Sequence, residues 1–450
     1  MSPKVAVIGA GIAGLAAAYR LRETGIESVV FDKESFVGGR MSSEVIDGFV
    51  IDKAAYTWPE HHKNLTAFLS SMGMIEQLVQ TPGTSSTFAG GSEYPIKIGS
   101  PKDFLTYKLL SLKNKKDMIK LYLYAQSLGG ALDLTAPTER TFELEQETAA
   151  DYILRNYDEE ILEHAAWPIF CEILLGAPEY NSKVPFLATL KNVLWFKIFN
   201  LTGGIGALTQ ALAARLDVRL GSPVEHVSQD SSGAEFILEI GGMTPETLRF
   251  DAVIFAVPPP LIPDVFPEID PELGPMLQRI EYSKSIVTAI ALNRAYDGTS
   301  MINNLCRDRF RTIATLVYDR HKGPHRVPDG SELITAVLCE NASNELFTCS
   351  DNEIADAVLK EAEAVLPGAS RHVLFTRTYR WPFGAVQFPC GAIRHIDSVR
   401  ALTKRQPGRI AFAGDGYYKA SLETSFNTGV SAADKVAGTL RSGAGDRELK

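Results

Sequence analysis

The sequence predicts an α/β protein in which one discontinuous domain carries a second domain as inserts. Three observations lead there. A β-branched run, Val5-Ala6-Val7-Ile8, passes at once into a glycine-rich turn and then into helix formers from Leu15 to Arg22. Buried, parallel-type strand runs return at 251–258 and 410–413. Between these returns lie two long stretches of different periodicity, one helical and one strand-rich.

Composition sets the frame. A chain of 450 residues exceeds one ordinary core, so two or three domains are expected. Hydrophobic residues make up 45% and charged residues 22%, the balance of an ordinary soluble globular protein. The formal charge of −9 argues against nucleic acid, whose phosphates need a basic face. Cys171, Cys306, Cys339, Cys349 and Cys390 are odd in number and lack both CxxC and metal-site spacing. They read as reduced thiols, and no metal is expected. No signal peptide precedes the first strand, and no apolar run reaches the ~18–20 residues of a membrane span. The best candidate, 193–201, is short and interrupted by Lys197. A cytoplasmic protein is expected, with membrane contact at most peripheral. The oligomeric state is left open.

The glycine turn carries the first chemistry. In Gly9-Ala10-Gly11-Ile12-Ala13-Gly14, each glycine has its own role in a Rossmann-like strand–turn–helix. Gly9 permits the tight turn, Gly11 lets the backbone approach a pyrophosphate, and Gly14 lets the helix pack on the strand. The helix N-terminus then faces the phosphates. A second apolar strand, 28–31, ends in Asp32, an acid placed to bind a ribose hydroxyl, with Lys33 beside it. The turn alone does not choose between dinucleotides. Val37-Gly38-Gly39-Arg40 adds a second glycine pair and an arginine that can neutralise a pyrophosphate.

With that arginine the chain resembles the flavoprotein superfamily of monoamine oxidases, protoporphyrinogen oxidases and carotenoid desaturases. Further matches fall in family order. Asp47-Gly48-Phe49-Val50-Ile51-Asp52 resembles the stretch after the family's arginine, with Lys53 and Ala54 where glycine is usual two residues past the second acid. The resemblance implies that Ala54-Ala55-Tyr56-Thr57 passes the isoalloxazine ring. It also implies that the backbone at Val224 meets adenine and that Asp415, after Gly414, binds the ribityl chain. The last helix, opening at Ser421-Leu422-Glu423-Thr424-Ser425, would stabilise negative charge on the flavin with its first amides. FAD is thus the implied cofactor. It is expected to be non-covalent, because no cysteine lies at the family's usual attachment point.

The FAD-binding domain is expected to comprise 1–75, 203–283 and 392–442. The inserts 76–202 and 284–391 would form an α+β substrate domain with a mixed sheet, and 443–450 a disordered tail. The first insert reads as helical, with helical apolar spacing at 104–129 and 148–175. The second reads as strands at 285–292, 312–318, 332–338 and 372–379, with a helix at 352–365. The lysine-rich 108–120 stretch suits a solvated helix better than a membrane-surface one.

Departures from the monoamine oxidases bear on the substrate. Alignment places Val287 where that subgroup has a lysine, and Lys284 would leave the opposite strand face. It places Gly384 and Ser421 where that subgroup has two aromatic residues flanking the amine. The Arg380-Trp381-Pro382-Phe383-Gly384-Ala385-Val386-Gln387-Phe388-Pro389 stretch is instead similar to protoporphyrinogen oxidases and desaturases. The expected reaction is hydride removal from a C–H of an apolar, ring-containing or polyene-like small molecule. Tyr56, Trp58, Trp381, Phe383 and Ser421 are the pocket candidates, although core packing suits each aromatic equally. Oxidation of a secondary or cyclic amine with peroxide release, or isomerisation without net redox, stays open. No catalytic base is assigned. Glu423 reads as a helix-start carboxylate beside the flavin, and His61-His62 as a surface pair at a helix start.

Overall fold

The computed structural model describes residues 3–194, 197–296, 298 and 300–447, with side chains described through Ser442. Residues 195 and 196 of the apolar 193–201 stretch lie outside the described residues. Its end, Ile198–Leu201, is a strand. Among the described residues no helix is long and apolar enough to cross a membrane.

A five-stranded parallel sheet forms the first layer. Its spatial order is Asp217–Arg219, Glu27–Phe31, Lys4–Ile8, Ala252–Phe255, Ile410–Phe412. Each pairing is parallel, as the continuous apolar runs of these strands require, because both faces are covered. The helix Ile12–Glu23 packs on this sheet and against the C-terminal helix Leu422–Arg447. That crossing is close: a Cβ on Gly429 would lie 2.1 Å from the Ala13 carbonyl oxygen. The C-terminal helix is described to Arg447. Residues 448–450 lie outside the described residues.

The second layer is a seven-stranded mixed sheet in the order Val373–Trp381, Ser285–Leu292, Glu332–Leu338, Ile313–Tyr318, Ile302–Leu305, Thr84–Ala89, Ser92–Lys97. The four strands expected from the second insert are all present. The first insert is not purely helical, because it supplies the hairpin Thr84–Lys97. That hairpin enters the sheet through the parallel pairing of Thr84–Ala89 with Ile302–Leu305. The turn is Gly90-Gly91, both at positive φ (56° and 79°), which matches the twist of a tight hairpin. Helix Asp351–Ala362 covers one face of the sheet over Ile286, Ile290, Leu316 and Ile334. A capping box between Ser350 and Glu353 fixes its start.

The other sheet face turns toward the dinucleotide-type domain. Ala289, Ala291 and Leu333 pack on Phe49 and Ile51, and Ile302, Val317 and Val337 pack on Tyr56. The expected helical stretches of the first insert are broken into shorter pieces, Pro101–Thr106, Leu112–Ser127 and Ala149–Asn156 among them. Two π-helical turns follow, Leu162–Ala166 and Phe170–Leu174.

Candidate active site

The glycine turn meets its sequence expectation in geometry. Gly9 has φ 109° and receives a close backbone: a Cβ there would lie 2.5 Å from the Ala256 carbonyl oxygen. A Cβ on Gly14 would lie 1.9 Å from the Gly9 oxygen. Gly11 is different, since a Cβ there would meet nothing within 4 Å. Gly39 lies close by, and a Cβ there would meet only the Gly11 Cα, at 3.8 Å. The Gly38 amide donates to the Ala10 carbonyl at 2.8 Å, so the two glycine segments run side by side. Ile12 and Ala13 are buried at the helix start. Two adjoining glycine turns, with open space at the Gly11 Cβ position, are the cradle a pyrophosphate needs.

Asp32 sits at the end of the second strand and fixes this cradle. Its carboxylate accepts from the Ala10 amide at 2.6 Å and from the Glu34 amide at 2.9 Å. Burial pushes its carboxyl above the ordinary range, against those two bonds. A carboxylate has about four acceptor positions, so a ribose hydroxyl can still be bound. Lys33 is exposed beside it, near Glu34. The Ser222 amide donates to the Asp32 carbonyl at 2.8 Å, which brings Val224, at the start of the Val224–Gln229 strand, close to the same end of the site.

Arg40 and Asp415 meet. Two bonds of 2.8 Å join the guanidinium to the carboxylate, and a third, of 3.0 Å, reaches the Gly384 carbonyl. Gly414 (φ 130°) has open space at its Cβ position, and its amide donates to Thr428 at 2.9 Å. The Ala55 amide donates to the Arg40 carbonyl at 3.0 Å, so the Ala54–Thr57 segment runs beside the arginine. Leu422 and Thr424 lie in the first turn of the C-terminal helix, with Thr424 buried.

Several readings need correction. Trp58 is fully buried in the core of the dinucleotide-type domain and donates to Thr66 at 2.9 Å, so it walls no cavity. Glu423 lies in the first turn of the C-terminal helix, as expected, and there it accepts from the amides of Asn64 and Leu65 in the neighbouring helix Lys63–Ser71, both at 2.9 Å. His61 is exposed as expected, but His62 is buried and contacts Ser421 at 3.2 Å. Burial, with His61 and Lys419 nearby, lowers the His62 ring to about 3, so it is neutral.

The other aromatic candidates border the site. Trp381 donates to the Lys53 carbonyl at 3.0 Å, and Phe383 meets Tyr282 edge-on at 5.5 Å. Tyr56 is buried against the large sheet. Val287 is buried on the sheet face that carries Val337, whereas Lys284 lies over Phe347 on the opposite side. At Gly384 a Cβ would lie 2.8 Å from the Ser285 Cβ and 3.0 Å from the Ser283 oxygen. No aromatic side chain fits there without moving the backbone.

Sequence reasoning missed what lies between the layers. Asp52, noticed only as part of a motif, is fully buried and ion-paired with Lys322 (3.1 Å) and Arg326 (2.6 Å). Both cations also bind Asp319, at 2.6 and 3.1 Å. Asp52 further accepts from Ser43 and from the Ile205 amide. Burial acts to raise its carboxyl, but Arg326 and Lys322 outweigh that and hold it well below the usual range.

A dinucleotide cradle set against a largely apolar sheet face is the architecture of a dinucleotide-dependent oxidoreductase. The chain belongs to the flavin containing amine oxidoreductase family, whose model matches residues 12–437, and its cofactor is a flavin. Protoporphyrinogen oxidase 2 of Arabidopsis thaliana is 21% identical, over 99% of this chain and 96% of its own. Coproporphyrinogen III oxidase of Staphylococcus aureus is 22% identical, over 98% of this chain and 100% of its own. The crystal structure of a putative protoporphyrinogen oxidase from Exiguobacterium sp. 255-15 shares the fold, with a TM-score of 0.77 at 19% identity. It covers 97% of this chain and 99% of its own. The curated relatives include porphyrinogen oxidases, desaturases and a polyamine oxidase, Polyamine oxidase 4 of Oryza sativa, which is 22% identical over 96% of this chain and 88% of its own.

Proposed function

We propose that this protein is an oxidoreductase using non-covalent FAD to dehydrogenate a C–C or C–N bond of an apolar, ring-containing or polyene-like small molecule. Oxygen or another acceptor regenerates the cofactor. The observations that support this reading are Val287, buried on the large sheet where alignment puts the lysine of the monoamine oxidases, and Gly384, whose carbonyl meets Arg40 and which has no room for a side chain.

Bound FAD supplies the two-electron acceptor. The chain supplies position. Arg40 and the amides around Gly11 and Gly39 suit the pyrophosphate, and Asp32 suits the ribose. Tyr56 packs with Ile302, Val317 and Val337 into the core between the sheet and the Ala54–Thr57 segment, which fixes that segment beside Arg40. Any membrane contact is peripheral and falls to the outward face of Leu112–Ser127, where Leu112, Ile119 and Leu123 are exposed.

The test is an anaerobic flavin-reduction screen with porphyrinogens, polyenes and cyclic amines. Bleaching by at least one class is expected, and acid precipitation should release the flavin into the supernatant. A flavin that none of them bleaches would sink the reading.

A further inference from the structure

We infer that Lys53 is a positioning residue for the cofactor: its buried ammonium holds the Val37-Gly38-Gly39-Arg40 loop against the large sheet. This rests on the FAD reading above and adds to it a residue outside the glycine turns and the Arg40–Asp415 pair.

Lys53 follows the strand Phe49–Asp52, and its side chain is only 10% exposed. The ammonium stands 3.8 Å from the centre of the Phe36 ring and 5.7 Å from that of Tyr379. A third aromatic residue, Trp381, meets the Phe36 ring edge-on at 6.5 Å. Its indole nitrogen donates to the Lys53 carbonyl at 3.0 Å. Glu44 pairs with the ammonium at 3.3 Å, and the Tyr379 hydroxyl donates to the other oxygen of that carboxylate at 2.6 Å. One cation thus joins three rings and a shared carboxylate.

These partners come from both layers. Phe36 leads into Gly38-Gly39-Arg40. Tyr379 and Trp381 lie on the edge strand of the large sheet, directly opposite Val287 and Ser285 and so on the same face as them. The backbone around Lys53 reaches the same place. Its amide donates to the Ser42 carbonyl and the Ala55 amide to the Arg40 carbonyl, both at 3.0 Å. Trp381 is followed by Gly384, whose carbonyl takes the third Arg40 bond. Lys53 is therefore the junction of three segments that meet at Arg40.

Stability alone does not account for a lysine here. An ammonium is costly to bury, and replacing a buried ion pair by well-packed apolar side chains is often neutral or stabilising. What a cation adds is direction, because it is drawn to the faces of the rings. Phe36 held in this way keeps Gly39 and Arg40 in place beside Gly11, and a binding site gains from being set before its ligand arrives.

The experiment titrates flavin-stripped protein with FAD, following flavin fluorescence. It compares wild type, Lys53→Met, Lys53→Arg, Phe36→Leu and the Lys53→Met, Phe36→Leu double variant, with the thermal midpoint of each stripped protein as folding control. Lys53→Met should weaken FAD about tenfold, the scale of a desolvated cation–ring contact, while moving the midpoint little. Lys53→Arg should recover most of that affinity. Phe36→Leu should match Lys53→Met, and the double variant should bind no more weakly than either, as two halves of one contact do. FAD affinity unchanged in Lys53→Met overturns the inference, whatever happens to the midpoint. So do an arginine variant as weak as the methionine one, and losses that add in the double variant. If Lys53→Met does not accumulate, Phe36→Leu decides alone, since it deletes the ring and leaves the Glu44 pair; unchanged affinity there also overturns the inference. In each of these failures wild type still takes up FAD, and the cofactor reading stands. A wild type that takes up no FAD sinks both.

Discussion

Arg40 and Asp415, 375 residues apart in the chain, are joined by two parallel N–H···O bonds of 2.8 Å. Each lies next to a glycine, so the pair ties the Gly38-Gly39 segment to the start of the last helix. Asp415 is nearly buried. Removing the arginine leaves that carboxylate without its partner, and removing one partner of a buried pair costs about 3–5 kcal/mol. Arg40→Ala should lower the thermal midpoint and the flavin-to-protein absorbance ratio together. Arg40→Lys should recover little of either, because a point charge does not reproduce the fork. Full flavin retention in Arg40→Ala would remove the arginine from the cofactor site.

The Asp52 cluster joins the two layers rather than the cofactor. Asp52→Asn leaves Lys322 and Arg326 sharing Asp319 alone, and we expect a loss of about 3–5 kcal/mol, read by denaturant unfolding. The pH dependence follows from the depressed carboxyl. Its stabilisation is fully present above the unfolded carboxylate range, near pH 4, and is lost as pH falls further toward the folded value. Wild type should therefore lose more stability than Asp52→Asn between about pH 4 and 2. Parallel acid profiles would show that the cluster contributes nothing of this kind.

The cradle was legible in the sequence because its glycines perform backbone jobs that no other residue can, in strand–turn–helix order. Arg40 and Asp415 were both marked, but their contact was not, since nothing local couples residues so far apart. The Thr84–Lys97 hairpin was hidden for another reason. Its buried positions include the polar Ser85, Ser86 and Thr87, on both faces of the strand, so the apolar alternation that signals a strand is missing, and only Gly90-Gly91 marked the turn. Trp58 and His62 were misplaced because exposure depends on packing against residues 66 and 421, contacts with no sequence period. Lys322, Arg326 and Asp319 could have been suspected only from three charges in a segment otherwise bordered by strands.

Gly384 provides a direct test of why the site lacks an aromatic side chain there. A Cβ would press on Ser285 and on the Ser283 carbonyl. Gly384→Ala should cost about 1–3 kcal/mol as overpacking, and Gly384→Tyr should fail to accumulate as folded, flavin-bound protein. The Ser285→Gly, Gly384→Ala double variant should recover part of the loss, because it removes the nearer clash. A Gly384→Ala protein as stable as wild type in thermal unfolding would show that the loop yields freely.

Glu172 gives the last expectation, and its sign is opposite to that of Asp52. Burial raises its folded carboxyl to about 7, above the unfolded value near 4.3. Below that unfolded value both states are protonated and the contribution to stability is full. As pH rises from that unfolded value through the folded one, the native state holds a proton that the unfolded chain has released, and stability falls by about 4 kcal/mol at most. Glu172→Gln removes this titration while keeping the side chain's shape and its contact with Asn304. The two proteins should match in denaturant unfolding near pH 4, and the variant should be the more stable at pH 8. If wild type and variant track each other from pH 4 to 8, the Glu172 carboxylate is already satisfied within the protein.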